Sequence, residues 1–279
     1  MSYLMSIFLG LVQGLAEFLP ISSSGHLSIL QNIFGLNYDE AGNMFFNVLL
    51  HLGTLVAVFV AYWHDIITMI KETLDFILGK GSAGKDYAGR LTPSVRTAIF
   101  IVIATLPLVL VLPFYDAIER LNGNTGFIAF ALIVTGTLLF ISDKLLSGNK
   151  TAKTFTVLDA VIIGLAQAVA TIPGLSRSGT TITVATARGL KRDFAVRFSF
   201  LLSIPAVMGA FLLECIDALK EGVDWSMMPK YLVGMIVAGV SGYFAIIFVK
   251  KLAVSAKFGK FAYYCWTVGG IALIASFFI

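Results

Sequence analysis

The sequence predicts an all-α polytopic membrane protein with six transmembrane helices and two re-entrant broken helices in an inverted-topology repeat. Three observations predict it. The 279 residues are 58% hydrophobic and only 13% charged, with a mean hydropathy of +0.89, whereas a soluble surface needs about a quarter charged residues. Two apolar segments end in polar stretches rich in Pro, Ser and Gly: P-I-S-S-S-G-H at 20–26 and P-G-L-S-R-S-G-T-T at 173–181. The basic residues also gather in alternate loops.

Six apolar segments meet the roughly 17 to 25 residues needed to cross the hydrocarbon, near 46–63, 97–115, 126–142, 196–214, 231–249 and 261–279. The segments 3–19 and 155–172 are shorter and run into the two polar stretches. Each resumes as a short helical piece, near 26–34 and 180–190. Broken backbone at membrane depth is tolerated only where protein or a water-filled cavity satisfies its polar groups, so both segments read as re-entrant. No Lys or Arg precedes Lys71, so the first segment lacks the basic flank of a signal peptide. Cys215 and Cys265 are the only cysteines; they fit neither a disulfide framework nor zinc spacing and read as small apolar residues.

With both broken segments returning to their own side, the loops 64–96, 143–155, 188–197 and 250–260 share one face. They hold 16 of the 20 Lys and Arg residues, against Arg120, Lys220 and Lys230 on the other face. The positive-inside rule makes the basic face cytoplasmic and puts both termini outside. These loops set topology beside anionic lipid heads and call for no nucleic acid.

The chain reads as one membrane domain, 1–279, made of repeat halves 1–145 and 155–279. At a shift of 154 residues, Gly10-Leu11-x-Gln13 falls on Gly164-Leu165-x-Gln167, and Ser22-Ser23-Ser24-Gly25 falls on Ser176-Arg177-Ser178-Gly179. Phe46-x-x-Leu49-Leu50 matches Phe198-x-x-Leu201-Leu202 at a shift of 152. Each half is one broken segment followed by three spans. Three is odd, so the halves are oppositely oriented, and the two breaks are expected to meet near the midplane. Each break frees N–H groups at the start of the helix that follows, and such helix ends attract anions.

Within the pocket so formed, Arg177 is the one basic residue deep in the membrane. Intramembrane charge by default marks function, and a guanidinium fork suits phosphate oxygens; pairing with Glu17 is the structural alternative. Glu17 lies one turn after Gln13 on the same helix face and is suited to holding a cation, accepting a proton or pairing with Arg177. His26 follows Gly25 directly and is placed to activate a serine or relay a proton; a cap-region histidine bonding to a carbonyl is the structural alternative. His51 is as consistent with a helix-to-helix hydrogen bond as with function, and His64 beside Trp63 reads as an interface anchor. On the residues alone, an enzyme and a transporter stand equal, since broken inverted repeats are a usual transporter layout.

The two motifs add a resemblance. G-L-V-Q-G-L-A-E-F-L-P-I-S-S-S-G-H and P-G-L-S-R-S-G-T-T resemble the undecaprenyl-diphosphate phosphatase family of the bacitracin-resistance type, through its (E/Q)xxxE and PGxSRSxxT motifs. Here these are Gln13-x-x-x-Glu17 and Pro173-Gly174-x-Ser176-Arg177-Ser178-x-x-Thr181, and the likeness spans essentially the whole chain. The resemblance implies hydrolysis of the terminal phosphate of a C55 isoprenyl diphosphate, which recycles the lipid carrier of cell-wall precursors, and a need for a divalent cation, Mg or Ca. It implies a bacterial plasma-membrane protein with a pocket opening to the outer face. Its partners are then the isoprenyl diphosphate lipid and the bilayer, with a homodimer as one option for assembly. Carried over by position, Ser23 is the nucleophile with His26 close by. Arg177, Ser176, Ser178 and Thr181 hold the diphosphate, with Ser22 and Gly25 at the first break. Glu17 binds metal or orients the reaction. The amide at Gln13 leaves one carboxylate, not two, for a metal.

Overall fold

The structure is a computed structural model and describes residues 1–35, 41–80, 84, 91–145, 148–221, 224–255 and 258–278. Lys85, Arg90 and Lys257 of the predicted basic loops, and Ile279 of the last predicted span, lie outside the described residues. The helices are α1 (Tyr3–Phe18), α2 (Ser23–Ile33), α3 (Ala41–Ala61), α4 (Trp63–Ile77), α5 (Pro93–Thr105), α6 (Tyr115–Glu119), α7 (Thr125–Lys144), α8 (Val157–Val169), α9 (Arg177–Ala187), α10 (Arg192–Glu221), α11 (Met228–Ser255) and α12 (Lys260–Ala275). Among the described residues there is no β-strand; one isolated bridge joins Lys150 to Leu190.

Four stretches are long and apolar enough to cross a membrane: Pro93–Gly123, Thr125–Lys144, Arg192–Leu213 and Trp225–Ala253. Phe45–Ala61 and Trp63–Ile77, bent by 78°, make a fifth if taken as one span. Large apolar side chains such as Leu110, Phe244 and Ile271 are exposed along these helices. That would be an aggregation hazard in water and is the expected surface in lipid. The chain is a multi-pass, all-helical membrane protein.

Three predicted elements differ. The segment 64–77, read as loop, is α4, an amphipathic helix whose Trp63, Ile67, Ile70, Leu74 and Ile77 are all exposed. Their spacing puts them on one face, the pattern of a helix lying in the membrane interface. The span near 97–115 is not one α-helix: α5 ends at Thr105 and Leu106–Phe114 follows in 3₁₀ geometry. Pro107 and Pro113 have no N–H to give to the preceding turn. The last span, predicted to run from 261 to 279, is α-helical only over Lys260–Ala275.

Both short broken helices end as the sequence dictates. Pro20 cannot extend the α1 ladder and pushes Leu19 to an extended ψ of 140°. α8 starts with a capping box between Thr156 and Asp159. Asp159 also receives Lys150 at 2.8 Å and Arg188 at 2.9 Å. Since Arg188 directly follows α9, these bonds tie the far end of α9 to the start of α8. On the other half, the rings of Phe8 in α1 and Phe34 after α2 meet edge to face at 6.2 Å.

α1 lies along α11, and α8 lies along α5. Both contacts are backbone-close because glycine faces the partner: Gly10 meets Gly234, Gly14 meets Ala238 and Ser241, and Gly164 meets Ala104. α3 packs on α10 and α11, and α7 on α12. The main buried cluster lies around Phe18, Tyr62, Phe155, Phe198 and Phe200. A Cβ at position 14 would strike the Ser241 side chain and the Ala238 carbonyl, whereas at Gly209 it would meet nothing within 4 Å. Gly14→Ala should therefore lower the unfolding midpoint in detergent by the equivalent of about 1–3 kcal/mol. Gly209→Ala, in an exposed helix position, should leave it unchanged or raise it.

Candidate active site

Two helix starts meet inside the bundle, and the sequence builds them alike. Ser22 caps α2, its hydroxyl accepting from the Gly25 N–H at 3.2 Å and lying 3.3 Å from the Ser24 hydroxyl. Ser176 caps α9, accepting from the Gly179 N–H at 3.1 Å and lying 3.3 Å from the Ser178 hydroxyl. Each helix then runs 11 residues, about 16 Å at 1.5 Å per residue, half the hydrocarbon thickness. Ser22 holds φ at 72°, the only positive φ outside glycine among the described residues. Such strain persists only where surroundings enforce it and tends to mark functional sites.

The two breaks touch. A Cβ at Gly25 would come 3.1 Å from the Gly174 Cα, and Gly174 itself sits at φ +90° against Ile128 and Ala131 of α7, where only glycine fits without strain. Thr135 of α7 secures this second break: its hydroxyl donates to the Gly174 carbonyl at 3.0 Å and accepts from the Ser176 N–H at 3.0 Å. The Ser178 hydroxyl reaches the Leu19 carbonyl of the first break at 3.5 Å.

Glu17 joins everything at this junction. One carboxylate oxygen accepts from Arg177 in a close ion pair across 160 residues of sequence. The other accepts from the Ser23 hydroxyl at 2.6 Å and from the Gln13 amide at 3.1 Å. Glu17 and Gln13 are buried, and the Arg177 side chain is nearly so. Two polar atoms are left buried without a partner in this group: Gln13 Oε1 and Arg177 Nη1. A buried polar atom without a partner is costly, and both of these adjoin the carboxylate.

His26 stands apart from Ser23. Its Nδ1 lies 2.8 Å from the Ser22 carbonyl, so it carries the proton and donates. Its Nε2 then accepts from the Tyr264 hydroxyl of α12 at 2.9 Å, and the two rings stack at 5.5 Å. Thr181 is fully buried, its hydroxyl held between the Arg177 carbonyl at 2.8 Å and the Ser199 hydroxyl at 2.5 Å. That hydroxyl is engaged within the protein, on the turn that carries Arg177. The Nδ1 of His51 bonds to the Asn47 carbonyl of its own helix at 2.9 Å, and the ring lies in electrostatic range of Glu17. His64 is exposed.

Among the described residues no three His, Cys, Asp or Glu side chains cluster, so the protein forms no cage of its own for a metal there. One carboxylate and one orphaned amide oxygen fit a hard divalent cation of the Mg or Ca kind, which takes its remaining ligands from phosphate and water. The structure therefore groups Gln13, Glu17, Ser22, Ser23, Gly25, Ser176, Arg177 and Ser178. It sets His26 one residue aside and Thr181 behind. Sequence reasoning missed Thr135 and Tyr264. Thr135 lies in an ordinary span without signal; the Tyr263-Tyr264 pair near a span end reads as an interface belt.

The chain matches the model of the family described as bacitracin resistance protein BacA over residues 6–271. It is 39% identical over 276 residues to an undecaprenyl-diphosphatase of Alkaliphilus metalliredigens, covering 97% of this chain and 98% of the relative. It is 39% identical to one of Halothermothrix orenii, with 96% of each covered. It is 40% identical to one of Methanobrevibacter smithii, over 99% of this chain and 98% of the relative. The motifs that build the paired breaks fall within the matched range, and on this match the chain belongs to the BacA bacitracin-resistance family.

Proposed function

We propose that the protein hydrolyses undecaprenyl diphosphate to undecaprenyl phosphate and inorganic phosphate, returning the lipid carrier to cell-wall synthesis. The observation that carries this reading is the Ser23–Glu17–Arg177 chain of contacts, which puts a hydroxyl, a proton acceptor and a phosphate-binding cation on one spot. Membership of the family and the undecaprenyl-diphosphatase activity by which the relatives are named support it. A transporter built on the same repeat would need the cation but not a serine bonded to a carboxylate.

In the proposed mechanism the Ser23 hydroxyl gives its proton to Glu17 while its oxygen attacks the terminal phosphorus in line. The bridging P–O bond breaks and undecaprenyl phosphate leaves. Water then attacks the phosphoserine: the Ser23 oxygen leaves and takes back the proton held by Glu17, and inorganic phosphate departs carrying the proton of the attacking water. The 2.6 Å bond from Ser23 to Glu17 supports this assignment. Arg177, with one guanidinium nitrogen unspent, binds the phosphate oxygens, and the N-termini of α2 and α9 add their partial positive charge. Ser176, Ser178, Ser22 and Gly25 shape that cradle, and Thr181 positions Arg177. Glu17 and Gln13 Oε1 would hold a divalent cation. When bound it neutralises charge on the phosphates. Tyr264 fixes the tautomer of His26, which positions the first break through its bond to the Ser22 carbonyl.

The finer architecture belongs to the same proposal: six spans, two re-entrant segments, inverted halves, both termini outside and the pocket opening to the outer face of a bacterial plasma membrane. It is supported by the matched serine caps, by α1 on α11 mirrored in α8 on α5, and by the Asp159 bonds that return α9 to the start of α8. The basic loops favour this orientation.

Phosphate release from C55 diphosphate by purified protein in detergent tests the reading. It should be lost on EDTA treatment and fall by about 10²–10³-fold or more in Arg177→Ala; metal-independent release, or full activity in that variant, contradicts it. Phosphate trapped on residue 23 by acid quench would support the serine route, and a fully active Ser23→Ala would assign the attack to water. Tyr264→Phe should lower kcat about tenfold with KM unchanged, and add nothing further in a His26→Gln background.

A further inference from the structure

A second polar cavity, of about 450 Å³, lies where the end of α3, the starts of α5 and α10 and the end of α11 converge. This is the membrane face that carries the basic loops, and none of the residues of the Ser23–Glu17–Arg177 group lines it. Its walls carry an unusual set of donors. Lys250 stands over the Tyr62 ring, with its ammonium 3.7 Å from the centroid and bonded to the Ala61 carbonyl at 3.1 Å. Among the described residues no carboxylate pairs with it. Arg197 faces the same space and bonds to Asp65 at 2.8 Å. The Tyr62 side chain is 4% exposed, and its hydroxyl is buried without any hydrogen-bond partner.

That orphaned hydroxyl is the decisive observation. A buried phenol keeps its O–H satisfied by protein or water, and here the tyrosine that carries it lines a cavity bordered by two cations. The first turns of α5 and α10 also open onto the space. At α5, Thr92 satisfies the Val95 N–H at 3.4 Å, leaving the Ser94 N–H, whose residue lines the cavity. The fourth charged group, Asp193, accepts from the Phe194 N–H at 2.8 Å. Two cations against two carboxylates cancel, and the N-terminal ends of α5 and α10 are offset by the C-terminal ends of α3 and α11. The space is near neutral overall, rimmed by hydroxyl and N–H donors, with the Lys250 ammonium the cation in it that no carboxylate pairs among the described residues.

We propose that this cavity is a binding site for a phosphate monoester group, on a lipid head or free in solution, held chiefly by Lys250 and the Tyr62 hydroxyl. Lys250 supplies the unpaired charge, Tyr62 a neutral donor already stripped of water, and Arg197 a second cation without leaving Asp65. The assignment does not depend on the reaction proposed above, because the two sites share no residue.

Equilibrium binding to the purified full chain in detergent, with EDTA present, tests it. The probes are radiolabelled inorganic phosphate, dihexanoyl phosphatidic acid and dihexanoyl phosphatidylcholine. Lys250→Gln should weaken phosphatidic acid binding about tenfold, and Tyr62→Phe about threefold. Tyr62→Phe removes only an unpartnered oxygen, so its thermal unfolding should match wild type and its result stands even if Lys250→Gln folds poorly. Arg177→Ala should retain the binding, which separates this site from the candidate active site. Phosphatidic acid bound without inorganic phosphate assigns a lipid head group; both bound alike assigns the phosphate itself. Absence of binding by wild type, equal binding of phosphatidylcholine, or unchanged affinity in Tyr62→Phe overturns the proposal.

Discussion

The ion pair between Glu17 and Arg177 is the constraint on which the rest depends. Each charge alone within the membrane would cost several kcal/mol. Together, with Ser23 and Gln13 completing the carboxylate, most of that cost is offset. The pair has one partner from each half of the chain, so the two breaks cannot separate without exposing both charges to an apolar surround. A hydrophobic pair of the same volume would hold the helices together at least as well. What the ion pair adds is chemistry: it leaves Arg177 Nη1 and Gln13 Oε1 buried and unsatisfied. The site at rest is an incomplete hydrogen-bond network, and a phosphate ligand with its cation would complete it.

The starts of α2 and α9 are built alike and present different side chains. Both halves spend a serine on capping and place a glycine three residues on, and the caps agree in geometry to within 0.1 Å (3.2 against 3.1 Å). The difference lies at the first helical residue, which is Ser23 in one half and Arg177 in the other. One helix start therefore presents a hydroxyl and the other a cation, facing the same space. Glu17 has Thr171 as its counterpart at the shift of 154, and Thr171 only bonds back to the Ala168 carbonyl at 2.7 Å. Gln13 has Gln167, buried with neither amide atom partnered. On the proposed reaction, the carboxylate and the hydroxyl bonded to it would come from the first half of the chain and anion recognition from the second.

Much of this was legible in the chain. Composition and the placement of lysine and arginine predict a polytopic membrane protein. The Pro, Ser and Gly stretches predict where helices stop and restart, because those residues act locally through a missing N–H, a side-chain cap or a positive φ. The pairing of Glu17 with Arg177 could be weighed as one option, since two opposite charges in lipid seek each other. The 78° bend after Ala61 was not foreseen, although Trp63, Ile67, Ile70, Leu74 and Ile77 carry a helical period that a search for long spans passes over. The loss of α-geometry after Thr105 was readable from Pro107 and Pro113 and was hidden by the apolar run around them. Thr135 and Tyr264 could not be found that way. Their contacts to Gly174 and His26 join residues 39 and 238 positions apart, and no local pattern encodes such distances. For His26 the sequence leaves open action on a serine or a cap-region bond to a carbonyl; the structure has the carbonyl bond, to Ser22, with Tyr264 on the other nitrogen.

Gln13 decides how the site balances its charge. A second carboxylate beside Glu17 would set two negative charges against the single guanidinium of Arg177, and the empty pocket would then need a cation to stay ionised. The amide avoids this. Its N–H donates to Glu17 at 3.1 Å and adds no charge, so the resting group is neutral: one carboxylate, one guanidinium. On the proposed reaction, the diphosphate brings roughly two to three negative charges into that neutral pocket, and Arg177 is already partly spent on Glu17. Helix N-termini supply only about half a charge each. A divalent cation held by Glu17 and Gln13 would then serve substrate binding and transition-state charge rather than the fold. In such a chain the cation requirement should follow the substrate's phosphate count and leave the stability of the empty protein unaltered.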